Sequence, residues 1–292
     1  MSEREYEVLI IGSGPAGLSA ALNARVRNKS VAVVSRRLAS PSLDKAPSID
    51  NYLGVERIGG ADLENRFIEQ ARGAGAYLLE CDVLGLFNLG DSFSAFTSAG
   101  DYGCKAVVIA TGAVQAASIP GESQYVGSGV SYCATCDGPL YRGKRAVVLG
   151  YTAHAAEEAN FLAEICSQVT FVAVRGGKAE GVPELREEIR VVRGPAKAIH
   201  GAVSVTGVEI EGETIPADGV FVIRDSMPAE RLIEGIEVAD GAIRVNRDMA
   251  TNIPGAFAAG DCTGRPYQVA KAVGEGQVAG LSAARYVDAL PK

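Results

Sequence analysis

The sequence predicts an α/β fold of two Rossmann-like domains, the second inserted into the first. Three observations carry that reading. Val8-Leu9-Ile10-Ile11 is a continuous apolar run that ends directly in Gly12-Ser13-Gly14-Pro15-Ala16-Gly17. Ala146-Val147-Val148-Leu149-Gly150 repeats the strand-into-turn pattern in mid-chain, and Ala256-Phe257-Ala258-Ala259-Gly260-Asp261 repeats it near the C-terminus.

Each element follows from a local pattern. In the first turn Gly12 makes the tight bend, Gly14 lets a pyrophosphate approach the backbone, and Gly17 lets helix and strand pack closely. Leu18, Ala21, Leu22 and Val26 recur at helical spacing, and Val31–Val34 completes a strand-helix-strand unit. The phosphates would sit at the helix N-terminus. The acidic residue expected about 20 residues on is missing, because this strand ends in Ser35-Arg36-Arg37. Alone, the two arginines suggest the 2′-phosphate of NADP; the rest of the chain favours FAD, with Ser35 or the backbone taking the ribose. Residues 38–60 form a turn-rich loop containing Asn51-Tyr52-Leu53-Gly54, placed to fold over a cofactor. Asp62 is positioned to cap a helix to about Arg72, and short strands follow at Tyr77–Leu79, Val83–Phe87 and Phe93–Thr97. Val107–Ile109 is another buried strand, and its small-residue turn Ala110-Thr111-Gly112 allows close backbone approach to a dinucleotide.

The second unit reads as a helix from about Ala153 to Ile165 and strands at Val169–Val174, Ile189–Val192, Val203–Ile210 and Val220–Ile223. A final helix covers about Ala270 to Leu290. The expected division is therefore 1–115 with 241–292 as the FAD-binding domain, and 116–240 as a central redox domain like an NAD(P)H domain.

Between the two units lies Cys133-Ala134-Thr135-Cys136-Asp137. Two thiols at this spacing can open and close as a disulfide, and the carboxylate of Asp137 can exchange a proton beside them. Half of a zinc site is the alternative. It lacks a second pair of ligands: Cys81, Cys104, Cys166 and Cys262 are scattered, and the histidines are His154 and His200. The 292 residues, 47% hydrophobic and 22% charged, suffice for two cores. A formal net charge of −7 argues against nucleic acid. No apolar run approaches the roughly 20 residues that span a bilayer. Polar residues 1–5 run straight into a strand, so we expect a cytoplasmic protein whose Cys133/Cys136 disulfide is transient and catalytic.

These motifs, in this order and spacing over nearly the whole chain, resemble the low-molecular-weight thioredoxin reductases. The resemblance implies an FAD/NAD(P)-binding type of fold, FAD along Gly12–Gly17, and a homodimer. It implies that Asp261, beside Gly260, bonds the ribityl or phosphate end. Gln268, next to Val269, would bond the flavin pyrimidine, and Asn51 would lie near the flavin. Cys136 would be the flavin-side thiol, Cys133 the thiol that attacks thioredoxin, and Asp137 the general acid.

The second nucleotide turn departs from that family. Its Gly-x-Gly-x-x-Ala reads here Gly150-Tyr151-Thr152-Ala153-His154-Ala155, and its His-Arg-Arg cluster reads Ala173-Val174-Arg175. Thr152 puts a branched side chain where a pyrophosphate approaches the backbone. Two lost charge-assisted hydrogen bonds at about 1.5–3 kcal/mol each cost on the order of 10²–10⁴ in affinity. This resembles the ferredoxin-dependent flavin thioredoxin reductases, so reduced ferredoxin is the expected donor. Candidate docking cations are Arg142, Lys144 and Arg145, or Arg36, Arg37 and Lys45. NAD(P)H at a degraded site and a non-catalytic flavin-bearing module are the alternatives.

Overall fold

The computed structural model describes residues 4–38, 40–44, 46–113, 119–152, 155–174, 184–224 and 228–291, without the side chains of residues 41, 42 and 136. Two compact units result, Met1–Val114 with Ser226–Lys292, and Gln115–Asp225.

The first unit begins with β1 (Glu5–Ile11), α1 (Pro15–Val26), β2 (Val31–Ser35), α2 (Pro41–Asp44) and α3 (Gly60–Gly73), then β3 (Tyr77–Glu80), β4 (Val83–Asn88), β5 (Phe93–Thr97) and β6 (Gly100–Ile109). The second unit holds β7 (Val130–Ser131), α4 (Ala134–Asp137), β8 (Arg145–Gly150), α5 (Ala155–Ala163) and β9 (Gln168–Ala173). It continues with β10 (Arg190–Arg193), β11 (Ala196–Gly201), β12 (Val205–Ile210), β13 (Glu213–Pro216) and β14 (Gly219–Ile223). The chain returns to the first unit as α6 (Ala229–Leu232), β15 (Val238–Ala239), β16 (Ala242–Ile243), β17 (Ala256–Ala258) and α7 (Val269–Ala289).

In the first unit β3, β2, β1 and β6 are parallel neighbours. The C-terminal half of β6 pairs with β17, and its N-terminal half with β5 in an antiparallel meander. Both sheet faces are covered, which is why these strands read as unbroken apolar runs. Val8, Ile10, Val33 and Val108 share a core with residues of α1 and α7, while Leu9, Ile11, Val34 and Ile109 share the opposite one with Leu232, Ile233 and Ile236. That second core holds residues 229–236 in the first unit, so the compact units part at 225/226 where the sequence suggested 240/241. A four-residue helix carries too short a pattern to announce which core it joins.

The second unit has a fully parallel sheet in the order β10-β9-β8-β14-β7. One face carries α5. The antiparallel layer β11-β12-β13 shares the core on the other face through Val208, Ile210 and Ile215. The sequence reading missed β7, β11 and β13; β11 exposes Lys197 and His200, which masks its alternation. It also placed Asp62 as a cap, whereas Gly59 is the N-cap of α3 and Asp62 sits in the first turn. Among the described residues no helix is long and apolar enough to cross a membrane.

Candidate functional site

Cys133 directly precedes α4, the single turn behind β7 that holds the rest of the motif. Cys133 is disulfide-bonded. The side chain of Cys136 lies outside the described residues. Three contacts hold this turn. Ser131, buried at the end of β7, receives the Cys133 N–H at 3.1 Å and donates its hydroxyl to Asp137 Oδ2 at 2.7 Å. Asp137 thus has its carboxylate tied to the same side chain that positions the Cys133 backbone. From α5, the buried Glu158 accepts the Ala134 N–H at 3.0 Å. Thr135 Oγ1 lies 3.3 Å from Cys133 Sγ. Nearby, burial pushes the Tyr141 phenol up from its ordinary pKa, with the Asp137 charge adding to it. Among the described residues no group of three or more His, Cys, Asp and Glu is placed to hold a metal ion.

In the first unit the predicted dinucleotide residues converge on the C-terminal edge of the parallel sheet. Gly12 has φ +109°, and a Cβ there would stand 2.2 Å from Ala110 O. A Cβ on Gly17 would stand 1.9 Å from Gly12 O. By contrast, nothing lies within 4 Å of a Cβ built on Gly14, the N-cap of α1, so the space before the helix is open. Pro15 starts α1, whose first-turn N–H groups have no helix carbonyl to meet. Ser13 turns inward to Arg37 O at 2.8 Å. Ala110 is bonded to Ile11 O at 2.8 Å, which sets Ala110-Thr111-Gly112 beside the glycine turn.

The third turn joins them through Gly260, where a Cβ would meet Ala16 at 2.7 Å. Lys271, Glu275 and Thr263 shape this turn, and the sequence reading missed all three. Lys271 donates to Gly260 O at 2.7 Å and Gly264 O at 2.8 Å, while Glu275 accepts the Gly260 N–H at 2.9 Å. Burial raises the Asp261 carboxyl above its ordinary pKa, Lys271 opposing the shift and Glu275 adding to it. Asn51 Nδ2 donates to Gln268 Oε1 at 2.8 Å across 217 residues of sequence, and both are exposed. Val269 packs with the Leu43, Ile49, Ile58 and Leu63 cluster that supports the Asn51 loop.

Ser35 ends β2 and pairs in register with Glu80 of β3. The carboxylate missing from β2 is therefore present on the adjacent strand, where Glu80 also accepts the Leu38 N–H at 3.1 Å. Arg36 is ion-paired with Asp82, and Arg145 with Asp218 at 2.8 Å. Each candidate docking patch thus has at least one cation held in an ion pair. Lys45 lies outside the described residues.

At the corresponding edge of the second unit the arrangement is different. Gly150 and Ile223 are register partners, so Tyr151 and Arg224 follow side by side where β8 and β14 end. Arg224 is 4% exposed and grips Glu122, 0% exposed, with both terminal guanidinium nitrogens, Nη2 at 2.8 Å. Its guanidinium lies 4.7 Å from the centre of the Tyr151 ring, and Tyr132 donates to Glu122 at 3.0 Å. Thr152 Oγ1 is buried with no hydrogen-bond partner among the described residues. Ala153, His154 and Arg175 lie outside the described residues. Nothing in the sequence reading singled out Arg224 or Glu122; a paired charge at a strand end is visible only once β14 lies against β8.

Comparison with known proteins adds four matches. The family described as pyridine nucleotide-disulphide oxidoreductase matches residues 6–276. The thioredoxin reductase of Bacillus subtilis (strain 168) is 33% identical over 308 residues, which span 99% of this chain and 96% of that protein. Among solved structures, a ferredoxin-flavin thioredoxin reductase from Clostridium acetobutylicum is 40% identical, with a TM-score of 0.89 and coverage of 97% of this chain and 98% of its own. A thioredoxin reductase from Gloeobacter violaceus is 30% identical, with a TM-score of 0.81 and coverage of 100% and 98%.

Proposed function

The chain belongs to the pyridine nucleotide-disulphide oxidoreductases and, within them, to the low-molecular-weight thioredoxin reductases; from that premise we propose the route its electrons take. They enter from reduced ferredoxin, are held on FAD in the first unit, and leave through Cys133/Cys136 to the disulfide of thioredoxin. FAD, when bound, supplies a two-electron store fed by a one-electron donor.

The cradle fits that cofactor. Room in front of Gly14 and the unmet N–H groups of α1 suit a pyrophosphate. Asp261 and Glu80 are available to ribityl and ribose hydroxyls, and the exposed Asn51–Gln268 amide pair to the flavin ring. In the second unit, Asp137 holds and moves protons, Cys133 attacks the partner disulfide, and Cys136 resolves the mixed disulfide. Each cycle takes up two electrons and two protons and yields two thiols on the partner. A homodimer is part of the same proposal.

One observation carries the donor assignment. The C-terminal edge of β8 and β14, where this fold binds its nucleotide, is taken up by Tyr151, Arg224 and Glu122. Anaerobic mixing tests it. Millimolar NADPH or NADH, on the order of the weakest affinities usually exploited, should leave the flavin oxidised. Reduced ferredoxin should bleach it, and added oxidised thioredoxin should restore the colour. Rapid bleaching by micromolar NADPH would overturn the donor and leave the disulfide chemistry standing.

A further inference from the structure

The turn that presents Asp261 is held by a charged pair whose placement α7 itself does not favour. Lys271 and Glu275 stand at i and i+4 near the start of that helix, nitrogen to oxygen 3.0 Å, with 16% and 22% of their side chains exposed. An isolated helix prefers the carboxylate N-terminal to the cation in such a pair, and disfavours a cation in its first turn. Lys271 is the third residue of α7, so both local preferences are reversed. What the pair gains instead lies outside the helix.

Lys271 Nζ donates to Gly260 O at 2.7 Å and Gly264 O at 2.8 Å, and lies 2.9 Å from Thr263 Oγ1. These two glycines cap the single turn Asp261–Thr263 at its entry and exit. Glu275 Oε2 accepts the Gly260 N–H at 2.9 Å and lies 2.8 Å from the Thr263 hydroxyl. The peptides on both sides of Gly260 are therefore fixed by side chains one helical turn apart. Gly260 (φ +87°, ψ −151°) and Gly264 (φ +103°, ψ −175°) occupy a region open almost only to glycine, the residue with the least conformational restraint. Such a residue leaves the direction of its neighbour undefined unless outside contacts hold it. We propose that Lys271 and Glu275 are positioning residues for the ribityl or phosphate end of the cofactor: together they clamp the Gly260 peptides and so aim the Asp261 carboxylate. The inference rests on the reading that FAD occupies the first unit and meets Asp261.

The test uses the full chain, its flavin removed and FAD titrated back while flavin fluorescence reports binding. Lys271→Met keeps an unbranched stem and removes the donors, and it should weaken FAD binding about tenfold, the value of one charge-assisted hydrogen bond. Glu275→Gln keeps an acceptor for the Gly260 N–H and should weaken it less. The deciding variant exchanges the pair, Lys271→Glu with Glu275→Lys. It keeps the net charge and gives α7 the order an isolated helix prefers. It also sets a carboxylate against the Gly260 carbonyl and an ammonium against the Gly260 N–H. FAD should bind it about tenfold more weakly than wild type, or worse, with helix content by circular dichroism unchanged. In an Asp261→Ala background, Lys271→Met should cost less than in wild type, because the carboxylate it aims is gone. Wild-type FAD affinity in the exchanged pair overturns the clamp and leaves a helix ion pair. Equal losses from Lys271→Met with and without Asp261 overturn its action through that carboxylate, and this comparison decides if the exchanged pair loses its helix content. A wild-type chain that takes up no FAD fails the functional reading instead, before any variant is compared.

Discussion

The two units share one architecture and differ at one edge. Both set a parallel sheet under a strand-turn-helix motif, yet the first leaves open space before α1 whereas the second fills the end of β8 with Tyr151 and a buried Arg224–Glu122 pair. The same strand-turn-helix frame thus carries different side chains at its edge in the two units. The second unit has also acquired the disulfide turn. Its Tyr132, next to Cys133, bonds the same Glu122 that neutralises Arg224, so the filled edge and the redox turn are one hydrogen-bonded assembly.

The largest effect expected from breaking this contrast is at the cysteines. Cys133→Ser and Cys136→Ser should each abolish thioredoxin reduction, but with unequal spectra. Cys133→Ser should retain a long-wavelength thiolate-to-flavin band and Cys136→Ser should lose it. Identical spectra would remove the assignment of roles.

Next comes the buried pair. Removing one partner of an almost fully buried ion pair costs about 3–5 kcal/mol, because the other charge is left without compensation. Glu122→Ala should therefore lower unfolding stability by about that amount in a denaturant titration. A loss below about 1 kcal/mol, the range of surface pairs, would show that the second unit does not depend on it.

Asp137→Asn should slow turnover by about 10²–10⁴ with its melting temperature nearly unchanged, since the amide can still accept from Ser131. A large fall in melting temperature with full activity per folded molecule would make Asp137 a fold residue. Ser131→Ala, measured alongside, separates positioning from proton transfer: it should reduce turnover less than Asp137→Asn does.

The smallest effect lies in the first unit. Burial pushes the Glu64 carboxyl up to about 7 from 4.5, despite the Ser40 N–H that favours its charged form. A folded pKa above the unfolded one means the folded state binds the proton more tightly. The associated stability is present in full below about pH 4.5 and is lost as pH rises through 7. Glu64→Gln should flatten that part of the stability profile. An unchanged slope between pH 4.5 and 7 would show that this carboxyl does not couple to folding.

Much of this was legible in the sequence because it is local. An unbroken apolar strand running into Gly12–Gly17 specifies its own turn, since a Cβ at Gly17 would collide with the backbone oxygen of Gly12, five residues back. Cys133 and Cys136 stand at a spacing that a disulfide can close, and Thr152 shows a branched side chain where the turn pattern has a glycine, both readable from neighbouring residues alone. What only the tertiary structure decided depends on side chains distant in sequence. Arg224 and Glu122 are 102 residues apart, Asn51 and Gln268 are 217 apart, and Ala134 meets Glu158 from another helix. None of these has a periodicity or a motif, because a charge in a sequence looks the same whether water or a buried partner will solvate it. Burial distinguishes the two cases: once water is excluded, the partner is obligatory, and the folded chain supplies it.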